Sequence, residues 1–286
     1  MNNPVTRVLM LSSFGAYAFI YVPGVVLLAL DIKYPNSEWV NSLLLVLAGL
    51  SAVLWVVVNR GIGRGIGFAG AVLLLSFAVE YLGVRSGLIF GPYQYTTVLT
   101  PLLLTVPLAI PFAWLTVVLA SWYVANAITS ARANNGSPLQ GRSRANNGSP
   151  LQVKRFSFIT PHSSLLTLVV AGLLTMLLDL LIEPVAVHVS GYWLWQRGGV
   201  YYGIPAQNFI AWAVIGGLMA LLAARLIGNP ASRPAFAFLP PALYIMNALL
   251  FGVVAFAHGY IVTGLLAALA LTLGGRALVN VLRIRF

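Results

Sequence analysis

The chain has 286 residues, a net charge of +11, no cysteine, 60% hydrophobic and only 7% charged residues, with a mean hydropathy of +0.92. A soluble domain carries about 25% charged residues, so this composition excludes one and indicates an all-α, polytopic integral membrane helical bundle. The missing cysteine excludes disulfides, thiolate chemistry, Fe–S clusters and cysteine zinc sites. The basic residues lie in short loops beside apolar runs, not on one soluble face, so no nucleic-acid partner is expected.

A helix needs about 20 apolar residues to cross the hydrocarbon core. Eight candidates follow in order: roughly 8–30, 39–59, 65–84, 101–128, 160–184, 206–226, 238–257 and 260–280. The first lacks a small-residue cleavage site and reads as a retained span, not a signal peptide. The fourth contains Pro107 and Pro111, which predicts a kink. His258 and Gly259 alone separate the last two, a tight hairpin.

With the N-terminus in the cytoplasm and the spans alternating, only Lys33, Arg85 and Arg197 of the 16 Lys and Arg fall on the opposite side. That asymmetry predicts both termini in the cytoplasm, with aromatic loops facing outward. The whole of 1–286 is read as a single transmembrane domain. Its cytoplasmic loop 129–158 carries a direct repeat, RANNGSPLQ at 132–140 and 144–152. Asn, Gly, Ser and Pro without apolar periodicity predict a flexible linker there.

The outer loops differ in character. Segment 85–100 carries Phe90, Tyr93 and Tyr95, and segment 185–205 carries Tyr192, Trp193, Trp195, Tyr201 and Tyr202. An interfacial aromatic belt accounts for some of these. The glycines and prolines among them also suit loops folded inward as a lid over a pocket, because irregular backbone at membrane depth needs protein or a cavity around it.

Asp31 and Glu38 flank Lys33 in a short polar loop and read as solvated charges. The other three acids fall inside spans, where a carboxylate costs roughly 2.5–3.5 kcal/mol on the insertion scale and marks a functional site by default. Glu80 lies near the outer end of span three, and Asp179 and Glu183 near the outer end of span five. Three acids from two helices thus reach a similar depth on one side. Asp179 and Glu183 are four residues apart and share a helix face. In low dielectric they do not both ionise cheaply, so one is expected to hold a proton and serve as a general acid. The competing reading pairs Glu80 or Asp179 with Arg85 or Arg197 as a structural ion pair.

His162, His188 and His258 share no ligand-like spacing, so no metal site is expected. Lys33 and Lys154 both lie in loops, which excludes a retinal Schiff base. Spans rich in Leu, Val and Ala with Trp and Tyr at one end suit a long apolar substrate entering from the lipid.

The ordered blocks EYLGVRSGLIFGPYQY at 80–95, VPLAIPFAW at 106–114, DLLIEPVAV at 179–187, W-L-W at 193–195 and YYGIPAQNFIAW at 201–212 resemble the carotenoid biosynthesis family that contains the carotenoid 1′,2′-hydratases, including the γ-carotene and bisanhydrobacterioruberin hydratases. The resemblance covers about 76–215, and the repeat-bearing loop looks longer than the family needs. It implies addition of water to the terminal C1′=C2′ double bond of an acyclic carotenoid ψ-end, giving a tertiary alcohol without a cofactor. An acid protonates C2′, a tertiary cation forms at C1′, and water adds there with general-base assistance. On that reading Asp179 donates the proton, while Glu80 and Glu183 tune it or activate water. Tyr93, Tyr95, Trp193, Trp195, Tyr201 and Tyr202 would line the end-group pocket with Arg85, and Gln207 and Asn208 would hold the water. Aromatic faces suit the cation.

The partners expected are the carotenoid itself, drawn from the lipid phase, and membrane lipids, with self-association or association with other carotenoid enzymes. The expected location is a bacterial or archaeal cytoplasmic membrane. Two rivals remain: another acid-initiated polyene enzyme such as a carotenoid cyclase, and a non-enzymatic transporter or lipid-binding protein. Transporters often show two similar halves, and no clear internal symmetry at fold scale is visible in the sequence.

Overall fold

A chain with so few charges satisfies its backbone polar groups within helices, since the hydrocarbon core offers no water. A computed structural model describes residues 3–32, 38–135, 161–228 and 234–283. Among these residues it contains α1 Pro4–Ala29, α2 Glu38–Arg60, α3 Ile62–Ser86, α4 Ile110–Asn135, α5 Pro161–His188, α6 Ala206–Ile227, α7 Leu239–Ala257 and α8 Ile261–Arg283. All eight are long and apolar enough to cross a membrane, as the hydropathy pattern predicts. The two RANNGSPLQ copies lie outside the described residues, except that 132–135 extend α4.

Local chemistry sets the helix ends that matter for the site. Asn3 caps α1 through its side chain, which accepts from Val5 N at 3.0 Å. α3 stops at Gly87, whose φ of 64° is left-handed and whose N–H returns to Gly83 O. A Cβ at Gly87 would press on Pro92, so glycine here both ends the helix and lets the chain fold back.

α4 is the most buried helix and packs against α2, α3, α5, α6, α7 and α8. Its Trp114, Leu115, Leu119 and Trp122 are fully enclosed. Outward faces of α1, α3 and α8 present Phe19, Leu74 and Leu265, each more than two-thirds exposed, as a lipid-facing surface requires. α5 and α6 approach closely because Gly172 lies against the Ala213 carbonyl and Gly216 against Thr175, the small-residue packing that membranes favour.

The fourth span differs from the sequence reading. Helix α4 starts at Ile110, and Leu102–Leu103 (β2) instead pair antiparallel with Val106–Pro107 (β3) in a short hairpin. Pro107 is therefore a strand residue, and Pro111 sits in the first turn of α4, where a missing N–H costs nothing. Neither kinks the helix. A continuous apolar run does not distinguish such a hairpin from a helical turn.

Candidate active site

Beyond Gly87 the chain forms strand β1, Tyr93–Tyr95, and beyond α5 it forms β4, Trp193–Trp195. The two pair antiparallel, with Tyr93 opposite Trp195, Gln94 opposite Leu194 and Tyr95 opposite Trp193. Thr96 N to Tyr192 O at 3.0 Å and Gln196 N to Pro92 O at 2.9 Å extend the pairing at both ends. Alternate residues of a strand share a face, so all four aromatic side chains turn inward while Gln94 and Leu194 face out. The aromatic loops thus form a two-stranded lid.

The carboxylates lie beneath it. Glu80, 3% exposed, accepts from Tyr93 Oη at 2.6 Å and Tyr95 Oη at 2.8 Å on Oε2, and from Trp114 Nε1 at 2.9 Å on Oε1. Glu183, 2% exposed, accepts from Trp193 Nε1 at 3.1 Å and Trp195 Nε1 at 2.9 Å on Oε2. Asn208 Nδ2 donates to Glu183 Oε1 at 3.1 Å and to Asp179 Oδ2 at 2.7 Å. One amide nitrogen therefore bridges the acids of the shared α5 face. The other Asp179 oxygen, Oδ1, is buried with no hydrogen-bond partner. Burial, and next the charge of Glu80, push the Tyr93 and Tyr95 phenols well above the ordinary tyrosine value, so both hydroxyls remain donors.

The two halves follow one local plan. An acid near a helix end is followed by an aromatic-x-aromatic strand and then by a helix bearing a tryptophan. Those tryptophans, Trp114 of α4 and Trp212 of α6, stack with centroids 4.1 Å apart and planes at 12°.

Beside these bonded pairs, under the lid, lies a cavity with about 700 Å³ of empty space, its open mouth included. Glu80, Glu183, Tyr93, Tyr95, Trp193, Trp195 and Asn208 line it. Asp179 is not in its wall; it lies one turn along α5 from Glu183, held through Asn208.

Four other residues singled out in the sequence stand outside the wall. Tyr201 Oη donates to Leu180 O at 2.9 Å and meets Thr263 Oγ1 at 2.9 Å. Tyr202 Oη accepts from Val262 N at 3.1 Å. Both tyrosines tie the second loop to α8. Gln207 is exposed and donates to the Leu88 carbonyl, stapling the two loops together. Arg85 is exposed over the Tyr81 ring, 5.9 Å from its centroid. Arg197 is exposed as well, and the described partners of Glu80 and Asp179 are aromatic donors and an amide, not arginines.

The structure adds Trp114, Trp212, Tyr192 and Asn247 to the wall. Trp114 and Trp212 end the blocks VPLAIPFAW and YYGIPAQNFIAW, and that shared ending was the available signal. Among the described residues no group of three His, Cys, Asp or Glu is placed to hold a metal ion.

A family model described as carotenoid biosynthesis protein matches residues 40–274. The bisanhydrobacterioruberin hydratase of Haloarcula japonica is 28% identical over 153 residues, 53% of this chain and 42% of that protein. The alignment thus spans less than half of the relative's length. No solved structure matches the chain. The family match takes in all three buried acids, both lid strands and both stacked tryptophans, and the chain belongs to the carotenoid biosynthesis protein family.

Proposed function

We propose that the protein is a carotenoid hydratase that adds water across the terminal C1′=C2′ double bond of an acyclic ψ-end, giving a tertiary alcohol. The observation that carries this reading is the Asp179–Asn208–Glu183 bridge at an aromatic cavity wall. Two buried carboxyls held by one amide nitrogen share a proton more cheaply than they bear two charges. Glu183 presents the pair to the cavity, and the unpartnered Asp179 oxygen lies behind it.

The ψ-end enters from the bilayer beneath the lid. The dyad passes its proton to C2′ through Glu183, and the electron pair of the double bond forms the new C2′–H bond. The cation at C1′ is held by the faces of Tyr95, Trp193 and Trp212 and by the charge of Glu80 across the cavity. Water oxygen bonds to C1′, and the proton it sheds returns to the carboxylates, restoring the acid. The balance is one water added, with no redox change and no cofactor required. The membrane we assign is a prokaryotic cytoplasmic one, with the lid on its outer face and both termini inside.

The test is expression in a lycopene-producing host followed by mass spectrometry of the pigments. Wild type should yield product heavier by one or two waters, and Asp179→Asn and Glu183→Gln should each lose it. An unchanged mass with a shifted absorption spectrum would mean cyclisation instead.

A further inference from the structure

Hydration needs a water molecule at C1′, yet Asn208 spends its amide nitrogen on two carboxylates and Gln207 faces outside. A second chamber with about 620 Å³ of empty space, open regions included, adjoins the first. The two share Leu45, Ala113, Tyr192, Asn247 and Phe251 in their walls.

The second chamber is walled mainly by apolar side chains but also carries Asn41, Thr116, Ser190, Tyr192 and Asn247. It reaches the outer ends of α1, α2 and α5 at Leu28, Asn41 and Ser190, and extends down α1 to Tyr17. The Ser190 hydroxyl is buried, makes no well-formed hydrogen bond within the protein and lies beside the Tyr192 phenol. Such a group normally binds water. Asn247, in α7, gives its amide N–H to Leu243 O at 2.9 Å, so Oδ1 is the polar atom it has left at the junction.

From this we infer that the second chamber stores water and that Asn247 Oδ1 positions the water that quenches the C1′ cation. The inference rests on the hydratase reading above. Asn247 accepts a hydrogen bond from the water and turns the oxygen lone pair toward C1′. The C–O bond forms, and the water's surplus proton leaves for the carboxylates.

The test compares wild type, Asn247→Leu and Asn247→Ser in membranes supplied with acyclic polyene in D2O. A cation that finds no water returns a proton, so recovered substrate carries deuterium at C2′ whenever protonation still occurs. Asn247→Leu should lose hydrated product about 100-fold while still labelling recovered substrate, and Asn247→Ser, which keeps an acceptor oxygen, should regain part of it. Hydration at the wild-type rate in Asn247→Leu overturns the proposal. So does loss of both hydration and labelling, which would place Asn247 in the protonation step or the fold.

Radiolytic hydroxyl labelling decides the chamber independently of activity. Tyr17, only 4% exposed, should be oxidised by water beside it, and an unlabelled Tyr17 overturns the water store. A wild type that makes no hydrated product but labels at Tyr17 would refute the hydratase reading and Asn247's role in it, and leave the store standing.

Discussion

Glu80→Gln separates the charge of Glu80 from its hydrogen bonds. Trp114 Nε1 only donates, so the glutamine must keep its carbonyl oxygen there, at the 2.9 Å contact. Its NH2 then meets the Tyr93 and Tyr95 hydroxyls, which sit 2.6 and 2.8 Å from Glu80. Hydroxyls rotate, so both can accept in place of donating. All three bonds survive with neutral partners, each weaker by about 1 kcal/mol. Relief from burying a charge, worth several kcal/mol, opposes that loss, so the melting temperature in detergent should move little. Activity should not survive in the same way. A fixed charge facing a developing cation contributes about 2.7–4 kcal/mol when placed as oxyanion-hole donors are, a factor of 10²–10³ in rate. The assay is the yield of hydrated pigment per folded protein, with folding checked by size-exclusion chromatography. Hydration at the wild-type rate in a folded Glu80→Gln would refute an electrostatic role, and an unfolded variant would refute the hydrogen-bond argument.

Trp195→Phe keeps an aromatic ring beside Tyr93, 5.1 Å away in wild type, but removes the 2.9 Å bond to Glu183. It should lower stability by about 1.5–3 kcal/mol, read by thermal unfolding in detergent. Gly172→Ala drives a methyl into the Ala213 carbonyl and should cost about 1–3 kcal/mol in the same melt. Gly15→Ala, with nothing within 4 Å of the new methyl, should be neutral or stabilising. The raised Tyr93 and Tyr95 phenols favour the folded state below the ordinary tyrosine value of 10.0, and that contribution is lost as pH rises above it. Unfolding temperature should therefore hold up to about pH 10 and decline beyond, with these two tyrosines silent in the phenolate absorbance until the protein unfolds.

The acids were legible because polar residues in apolar runs are few and helical spacing is regular. Glu80, Asp179 and Glu183 could be placed at one depth from span counting, and the i, i+4 relation put two of them on one face. The Y-x-Y and W-x-W alternation was visible too. Which strand β1 would pair with was not, because Tyr93 and Trp195 are brought together by helices that hydropathy places in sequence but not in azimuth. The same blindness hid Trp114 and Trp212, whose stacking depends on how α4 and α6 are rotated. Gln207 and Asn208 looked equivalent as neighbours, yet successive helical residues point about 100° apart, and only Asn208 faces inward. The hairpin at 102–107 was hidden by its leucines, which extend the apolar run into α4.

The lid also acts as a ruler. Helices α3 and α5 both pack against α4 and α6, and the lid adds a second constraint on the gap between Glu80 and Glu183. That constraint is a pair of strands, whose separation of about 4.8 Å is fixed by backbone hydrogen bonding, with four aromatic arms of fixed length reaching down from them. Bilayers of different thickness tilt and slide spans, and a site measured off helix packing would drift with them. Here the strand pair ties the two acids to each other as well as to their helices, which should damp the effect of lipid composition on their separation.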